Sequence, residues 1–341
     1  MRILMVGHYP PHGGGVARHV DNLVRHLRKR HEVHVLTYGP VKPRDFERDL
    51  VHQVRVLPVY GLRGTGFAFL GSKLIAELHR EVGFDIIHAH FVGTTSFAGV
   101  LAKEKTGLPL VVTAHGSDLV HTARLALGRF YVERTLREAD AVIAVSHFLA
   151  RRAIELGAGE VRVIPNGIEI EGFPGRRKYV TFIGALRDYK APEVFLELAE
   201  HFPGREFLVV GEGPLRGKLE REAPPNVRFL GYRKDVGRVL SESALLVLPS
   251  KREGFGLVIL EANSLGVPAV GRRTGGIPEL IREGKNGLTF EDFGELVEAV
   301  KTLLEPKTNR KSGAIGKRVA ELYSWERVAR DVEALYRSVL R

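Results

Sequence analysis

The stretch ALLVLPSKREGFGLVILEANSLG, Ala244–Gly266, decides how the chain is read. Its opening run of leucine and valine ends at Pro249 and reads as a buried strand. A loop with Gly254 and Gly256 follows, and then an apolar run that reads as a helix starting near Leu257. A strand that turns through glycines into a helix is half of a β-α-β unit, and such units build parallel sheets covered by helices on both faces. Two acids punctuate the stretch. Glu253 stands in the loop and Glu261 inside the helix, roughly two turns further on, so they cannot adjoin on one turn. The N–H groups of a helix start attract phosphate. A carboxylate such as Glu261 can accept both hydrogen bonds of a ribose diol, and Glu253 can accept those of sugar hydroxyls. The spacing thus fits an extended ligand with a nucleoside at one end, a sugar at the other and a diphosphate between. A capping glutamate beside a solvent-facing one fits the spacing equally well.

The same alternation runs through the chain. RILMVG, EVHVLT, DIIHAH, LVVTAH, AVIAVS and VRVIPN read as strands in the first half, with ARHVDNLVRHLRKR and SKLIAELHREV as amphipathic helices. EGFPGRRKY breaks the pattern with glycine, proline and basic residues, which is a linker signature. Beyond it VTFIG, EFLVVG, VRFLG and LLVLP read as strands, and APEVFLELAEHF as a helix. The expected organisation is two doubly wound Rossmann-like domains facing a cleft, over 1–169 and 179–323, with a linker over 170–178 and a final helix over 324–341.

Composition narrows the function. The 341 residues include no cysteine, which removes disulfides, thiolate metal sites and cysteine nucleophiles. No apolar run approaches the roughly 18 residues of a membrane span, and the short apolar start is not a signal-peptide core. A cytoplasmic protein is expected, with peripheral contact at the inner membrane face as a further expectation. That contact would use residues 66–80, where Phe67, Phe69 and Leu70 stand beside Lys73 and Arg80; a core-facing helix is the competing reading. The net charge of +11 is divided almost evenly, +6 over residues 1–170 and +5 over the rest. A basic surface favours anionic ligands. The even spread and the lack of recognition-helix or aromatic-platform motifs argue against nucleic acid.

Gly13, Gly14 and Gly15 lie where the first strand turns into the first helix, as a phosphate-approaching loop or as a plain tight turn. They lack the G-x-G-x-x-G spacing of a dinucleotide site, and no acid closes the second strand. His88 and His90 share a strand face, but a catalytic metal needs a third protein ligand and no nearby motif supplies one, so no metal is expected. His115 ends a buried strand at its carboxyl end, where open α/β sheets bind ligands; a satisfied structural histidine is the alternative.

Over nearly its full length the chain resembles the retaining GT-B glycosyltransferases of family 4 (group 1). The resemblance rests on GGxxxH at Gly14, Gly15 and His19, and on VTAHGSD, ADAVIAVS, VIPNGIE, KAPEVFLELA, VVGEGP, VRFLGY, LPSKREGFGLVILEA, RTGGIPELI, NGLTF and SWERVA. It implies transfer of a sugar from a nucleoside-diphosphate sugar to a glycan, lipid-linked or small-molecule acceptor, with no cofactor and no metal. It also implies that 1–169 is the acceptor-binding domain and 179–323 the nucleotide-sugar domain, and that the helix over 324–341 packs back on the first domain. The family's Glu-x7-Glu motif falls on Glu253 and Glu261, and its basic pair near Arg187 and Lys190. Gly14, Gly15, Gly184, Tyr232, Phe255, Gly256, Leu257 and Glu261 would bind donor; Lys190, Arg187, Glu253 and His115 would carry the chemistry. Ala185 holds the position where the family often has arginine, with Arg187 two residues later. Either Arg187 replaces that arginine or Asp188 ties it into a surface pair. Two further readings stand beside this one: a soluble sugar or sugar phosphate as acceptor, and a non-catalytic binder of anionic membrane or polymer.

Overall fold

A computed structural model describes residues 1–39, 49–56, 62–169 and 175–341. The expected linker therefore lies largely outside the described residues, apart from 175–178. The chain forms two compact units. Unit 1 comprises Met1–Gly167 and Trp325–Arg341, and unit 2 comprises Ile168–Ser324. No helix among the described residues is long and apolar enough to cross a membrane.

Unit 1 begins with β1 (Arg2–Val6), α1 (Gly15–Leu27), β2 (Glu32–Tyr38), β3 (Val51–Val54) and α2 (Leu62–Val82). It continues with β4 (Ile86–His90), α3 (Thr94–Thr106), β5 (Leu110–Ala114), α4 (Ser117–Val120) and α5 (Ala126–Glu138). β6 (Ala141–Ala144), α6 (His147–Glu155) and β7 (Val161–Val163) follow. Its seven strands lie in the order β3-β2-β1-β4-β5-β6-β7, all parallel. Every residue of β4 and β5 is buried, as helices on both faces require.

Unit 2 contains β8 (Tyr179–Ile183), α7 (Pro192–Glu200), β9 (Phe207–Val210), α8 (Arg216–Glu222), β10 (Val227–Gly231), α9 (Val236–Ser241) and β11 (Ser243–Leu248). Then come α10 (Leu257–Ser264), β12 (Ala269–Arg272), α11 (Ile277–Leu280), β13 (Gly287–Phe290), α12 (Phe293–Leu304) and α13 (Pro306–Ala320). The parallel order is β10-β9-β8-β11-β12-β13. Phe195 of α7 anchors this core, its ring centroid 5.7 Å from Phe182 of β8 and 5.3 Å from Phe207 of β9.

The last helix, α14 (Trp325–Val339), completes unit 1. Its apolar residues Trp325, Val328, Val332, Leu335 and Tyr336 recur at helical spacing and join Val20, Leu23 and Val24 of α1 in one core cluster. The Tyr336 hydroxyl lies 2.5 Å from Nδ1 of buried His88. Gly167, where the chain leaves unit 1, has no room for a side chain, because a Cβ there would lie 2.5 Å from the Trp325 ring.

Three strands escape the sequence reading. β3, β12 and β13 have only four residues each, and β12 and β13 contain glycine, so their patterns are too short to stand out. The first helix stops at Leu27, short of the basic run, and α2 takes in residues 66–80. Within that helix Phe67 is buried, while Phe69 and Leu70 are exposed. The three do not form one surface patch, because positions 67 and 69 lie about 200° apart around a helix.

The Gly167–Trp325 contact makes a stability prediction. Gly167→Ala should lower the unfolding free energy by about 1–3 kcal/mol, the usual cost of overpacking. Gly159, where an added Cβ would meet nothing within 4 Å, is the control. Urea titration of both alanine variants checks this; equal midpoints would refute the contact.

Candidate active site

Each sheet has a point where its winding reverses, between β1 and β4 in unit 1 and between β8 and β11 in unit 2. Ligands of open α/β sheets bind beyond the strand carboxyl ends at such points.

In unit 2 the loops after β8 and β11 meet there. The backbone N–H groups of Lys251 and Arg252 both donate to the Tyr189 carbonyl, at 2.9 and 3.3 Å. Lys190 Nζ donates to Glu253 Oε2 at 2.5 Å, and Ser250 Oγ approaches the same oxygen at 3.4 Å. The side chains of Lys190 and Glu253 are only 17% and 14% exposed. Two more loops lock in through glycines. Gly276 N donates to the Glu253 carbonyl at 3.1 Å, and a Cβ on Gly275 would stand 1.8 Å from that oxygen. A Cβ on Gly211, after β9, would stand 1.9 Å from the Gly184 carbonyl. Any side chain at either position would push these loops apart.

Gly256 caps α10 in the left-handed conformation, at φ 93°. Leu257, Val258 and Glu261 form the half-buried stripe of that helix, so Glu261 lies one turn beyond Leu257 on the same face. Gly184, Lys190, Glu253, Gly256, Leu257 and Glu261 thus gather on two neighbouring loops and one helix. Arg187 is exposed on the first loop, and among the described residues no ion pair joins it to Asp188. Phe255 can meet a donor only through its main chain. Its side chain is buried and its ring packs 6.3 Å from that of Tyr323, so only its backbone is available to a ligand. Tyr232 is 63% exposed after β10, two strands from β8.

Gly14, Gly15 and His115 belong to unit 1. Gly13, Gly14 and Gly15 are exposed and nothing lies within 4 Å of a Cβ at any of them; only Gly14, at φ 107°, has a backbone that demands glycine. His115 is half-buried just after β5. A residue that sequence reasoning missed holds it in place. The buried Asp118 carboxylate accepts four backbone N–H bonds: from Val92 and His115 on Oδ2, and from Gly116 and Leu119 on Oδ1. It ties the loop after β4 to the loop after β5. Burial pushes its pKa up, and the four donors oppose that shift. The only sequence signal was its place in HGSD.

His115 also has imidazole neighbours. Ring centroids lie 4.8 Å from His19 and 5.5 Å from His90. Burial lowers the pKa of all three, that of His19 to about 4. His88, between Tyr336 and Thr113, is lowered to about 3, chiefly by burial and then by His19.

The comparisons with known proteins agree with this architecture. Residues 13–171 match the model of Glycosyltransferase Family 4, and residues 177–306 that of Glycosyl transferases group 1. The chain belongs to the family 4, group 1 glycosyltransferases, and its fold is GT-B. An uncharacterised glycosyltransferase of Methanocaldococcus jannaschii is 29% identical over 98% of both chains. The N-acetyl-alpha-D-glucosaminyl L-malate synthase of Bacillus anthracis is 29% identical over 98% of this chain and 96% of its own. Among solved structures, Anabaena HepE in complex with UDP and glucose has a TM-score of 0.83 at 20% identity, covering 99% of this chain and 100% of that one.

The buried imidazoles set an acid limit. A histidine near 6.5 when unfolded and near 4 when folded binds its proton first in the unfolded state. Stability should therefore be complete above pH 6.5 and fall as the pH drops toward 4, by about 1.4 kcal/mol per pH unit for each such histidine. Urea unfolding at pH 7 and pH 5 measures this, and equal stability at both would refute it.

Proposed function

We propose that the protein is a retaining glycosyltransferase whose donor is a nucleoside-diphosphate sugar bound by unit 2. The observation that carries this reading is the Lys190–Glu253 pair at the reversal point of the unit 2 sheet, beside the glycine-capped start of α10. The donor diphosphate would approach Lys190 and the α10 N–H groups. Glu261 would accept from the ribose diol, and Glu253 from sugar hydroxyls. His115 of unit 1 would stand at the sugar and acceptor. The bond from the anomeric carbon to the diphosphate breaks while the acceptor oxygen bonds to that carbon on the same face. The acceptor proton passes to a departing phosphate oxygen. Lys190 and Arg187 neutralise the charge that develops there. The acceptor is a glycan, a lipid-linked sugar or a small hydroxy compound; the malate named for the Bacillus relative is of the last kind.

The test is incubation with UDP-, GDP- and ADP-sugars and candidate acceptors, reading nucleoside diphosphate release and product anomers by NMR. One donor should turn over with its anomeric configuration kept, also in EDTA. An inverted product would overturn the retaining reading; a complete loss that magnesium restores would overturn the metal-free one.

The two cations make a sharper prediction. Lys190→Ala and Arg187→Ala should each lower kcat on the order of 10²–10³-fold, with smaller effects on donor binding. Arg can bind phosphate bidentately, whereas Lys acts as a point charge. Single-turnover kinetics on folded variants decides. If Arg187→Ala matches the parent while Lys190→Ala is inactive, the second cation comes from elsewhere.

A further inference from the structure

Three imidazoles from separate elements meet near the carboxyl edge of the unit 1 sheet. His19 comes from α1, His90 ends β4 and His115 follows β5. One ring nitrogen from each lies within 4.8 Å of the other two. His90 Nδ1 and His115 Nε2 are 3.3 Å apart. A tetrahedral ion with metal–nitrogen bonds of about 2.0–2.1 Å holds its ligand nitrogens about 3.3–3.4 Å apart. The His90 Nδ1–His115 Nε2 separation is therefore that of one tetrahedral edge, with a nitrogen of His19 no more than 4.8 Å from either.

The setting of His19 also points to a ligand. Its Nδ1 is buried with no well-formed hydrogen bond, only the Asn166 side chain lying near it, and the residue is more than nine-tenths buried. Buried nitrogens in that state are costly. Burial also keeps the three rings neutral at pH 7, the form in which imidazole has a lone pair to give. His88 cannot join them, since its nitrogens are engaged by Tyr336 and Thr113 at 2.5 and 2.6 Å. Both oxygens of Asp118 are likewise engaged by backbone. An all-imidazole donor set suits zinc, copper, nickel or cobalt rather than magnesium or calcium. The HAH pair on one strand, with no third ligand in a nearby motif, gives by itself no reason to expect a metal. The structure retains only His90 of that pair and supplies the others from α1 and the end of β5.

We propose that His19, His90 and His115 form a binding site for a late first-row divalent ion, zinc above all, and that the bound ion blocks transfer. The inhibitory half rests on the proposed place of His115 at the reacting sugar; the binding half does not. A metal held by His115 would remove its imidazole from the substrate. Zinc therefore acts here as an inhibitor, and chelation leaves the transfer reaction intact.

Cobalt(II) titration of EDTA-treated, full-length protein tests the binding. One equivalent should produce the visible bands of tetrahedral cobalt, and zinc should abolish them. His90→Asn and His19→Asn should each weaken cobalt binding by at least about tenfold. His52→Asn, in the separate His34–His52 pair, should not. Should either buried variant fail to fold, the half-exposed His115→Asn decides. The absence of bands, or bands unchanged in the cluster variants, overturns the site. Zinc added to the parent should abolish nucleoside diphosphate release. Cluster-dependent binding that leaves release unchanged overturns the inhibitory half and, with it, the place of His115 in the reaction.

Discussion

Where the winding of a parallel sheet reverses, the two central strands send their crossovers to opposite faces, and the ends of those strands are left without a covering helix. That constraint acts in both units, at β1/β4 and at β8/β11. It also explains where the backbone is strained. Among the described residues, the two with positive φ other than glycine are Phe91, just after β4, and Ala191, at the end of the loop after β8. A left-handed residue with a Cβ costs about 1–2 kcal/mol. Phe91 is held by its N–H bond to the Thr113 carbonyl, and Ala191 is fixed by the start of α7 with Pro192 in its first turn. Such strain persists only where the surroundings over-determine it, which is the usual state of ligand-binding loops.

The Lys190–Glu253 pair has a consequence for the proposed chemistry. Two largely buried charges are costly to desolvate, and their attraction offsets that only while both are present. A diphosphate reaching Lys190 competes with Glu253 for it, and the displaced carboxylate then needs new donors. Sugar hydroxyls supply them. On this reading the pair couples recognition of the diphosphate to recognition of the sugar, and a nucleotide without its sugar would leave Glu253 short of partners. The acids at the two ends of EGFGLVILE then have different tasks, because one lies in a loop opposite a lysine and the other on the face of α10.

Much of the fold was legible because parallel strands buried on both faces are continuous apolar runs, as in β1, β4, β5 and β11. The short strands β3, β12 and β13 were not, since their place depends on neighbours rather than on their own pattern. In the site, sequence spacing places residues on one loop or one helix face: Lys190 relative to Gly184, Glu261 relative to Leu257. It cannot reveal which partners come from elsewhere in the chain. The pairing of Lys190 with Glu253 spans 63 positions, and Asp118 reaches back 26 to Val92. Nor can it tell which face a single aromatic takes: nothing in the pattern shows that the Phe255 ring lies in the core.

The discontinuity of unit 1 raises a folding problem that unit 2 solves. The contacts that seat α14 are distant in sequence: His26 meets Glu326 across 300 positions, and His88 meets Tyr336 across 248. Closing such loops in an unfolded chain is slow and entropically unfavourable. The ends of unit 2, however, are tied together. Ile168 forms a parallel bridge with Ser324, and its N–H donates to the Tyr323 carbonyl at 2.9 Å. Once unit 2 has folded, its first and last residues are neighbours, and Trp325 emerges beside Gly167. The long loop is then already closed, and the remaining cost is that of laying α14 on α1. Until that happens the cluster shared by α1 and the sheet lacks Trp325, Val328, Val332, Leu335 and Tyr336, so a fragment ending at Gly167 would lack part of its core. The tight Gly167–Trp325 contact marks the place where that closure is made.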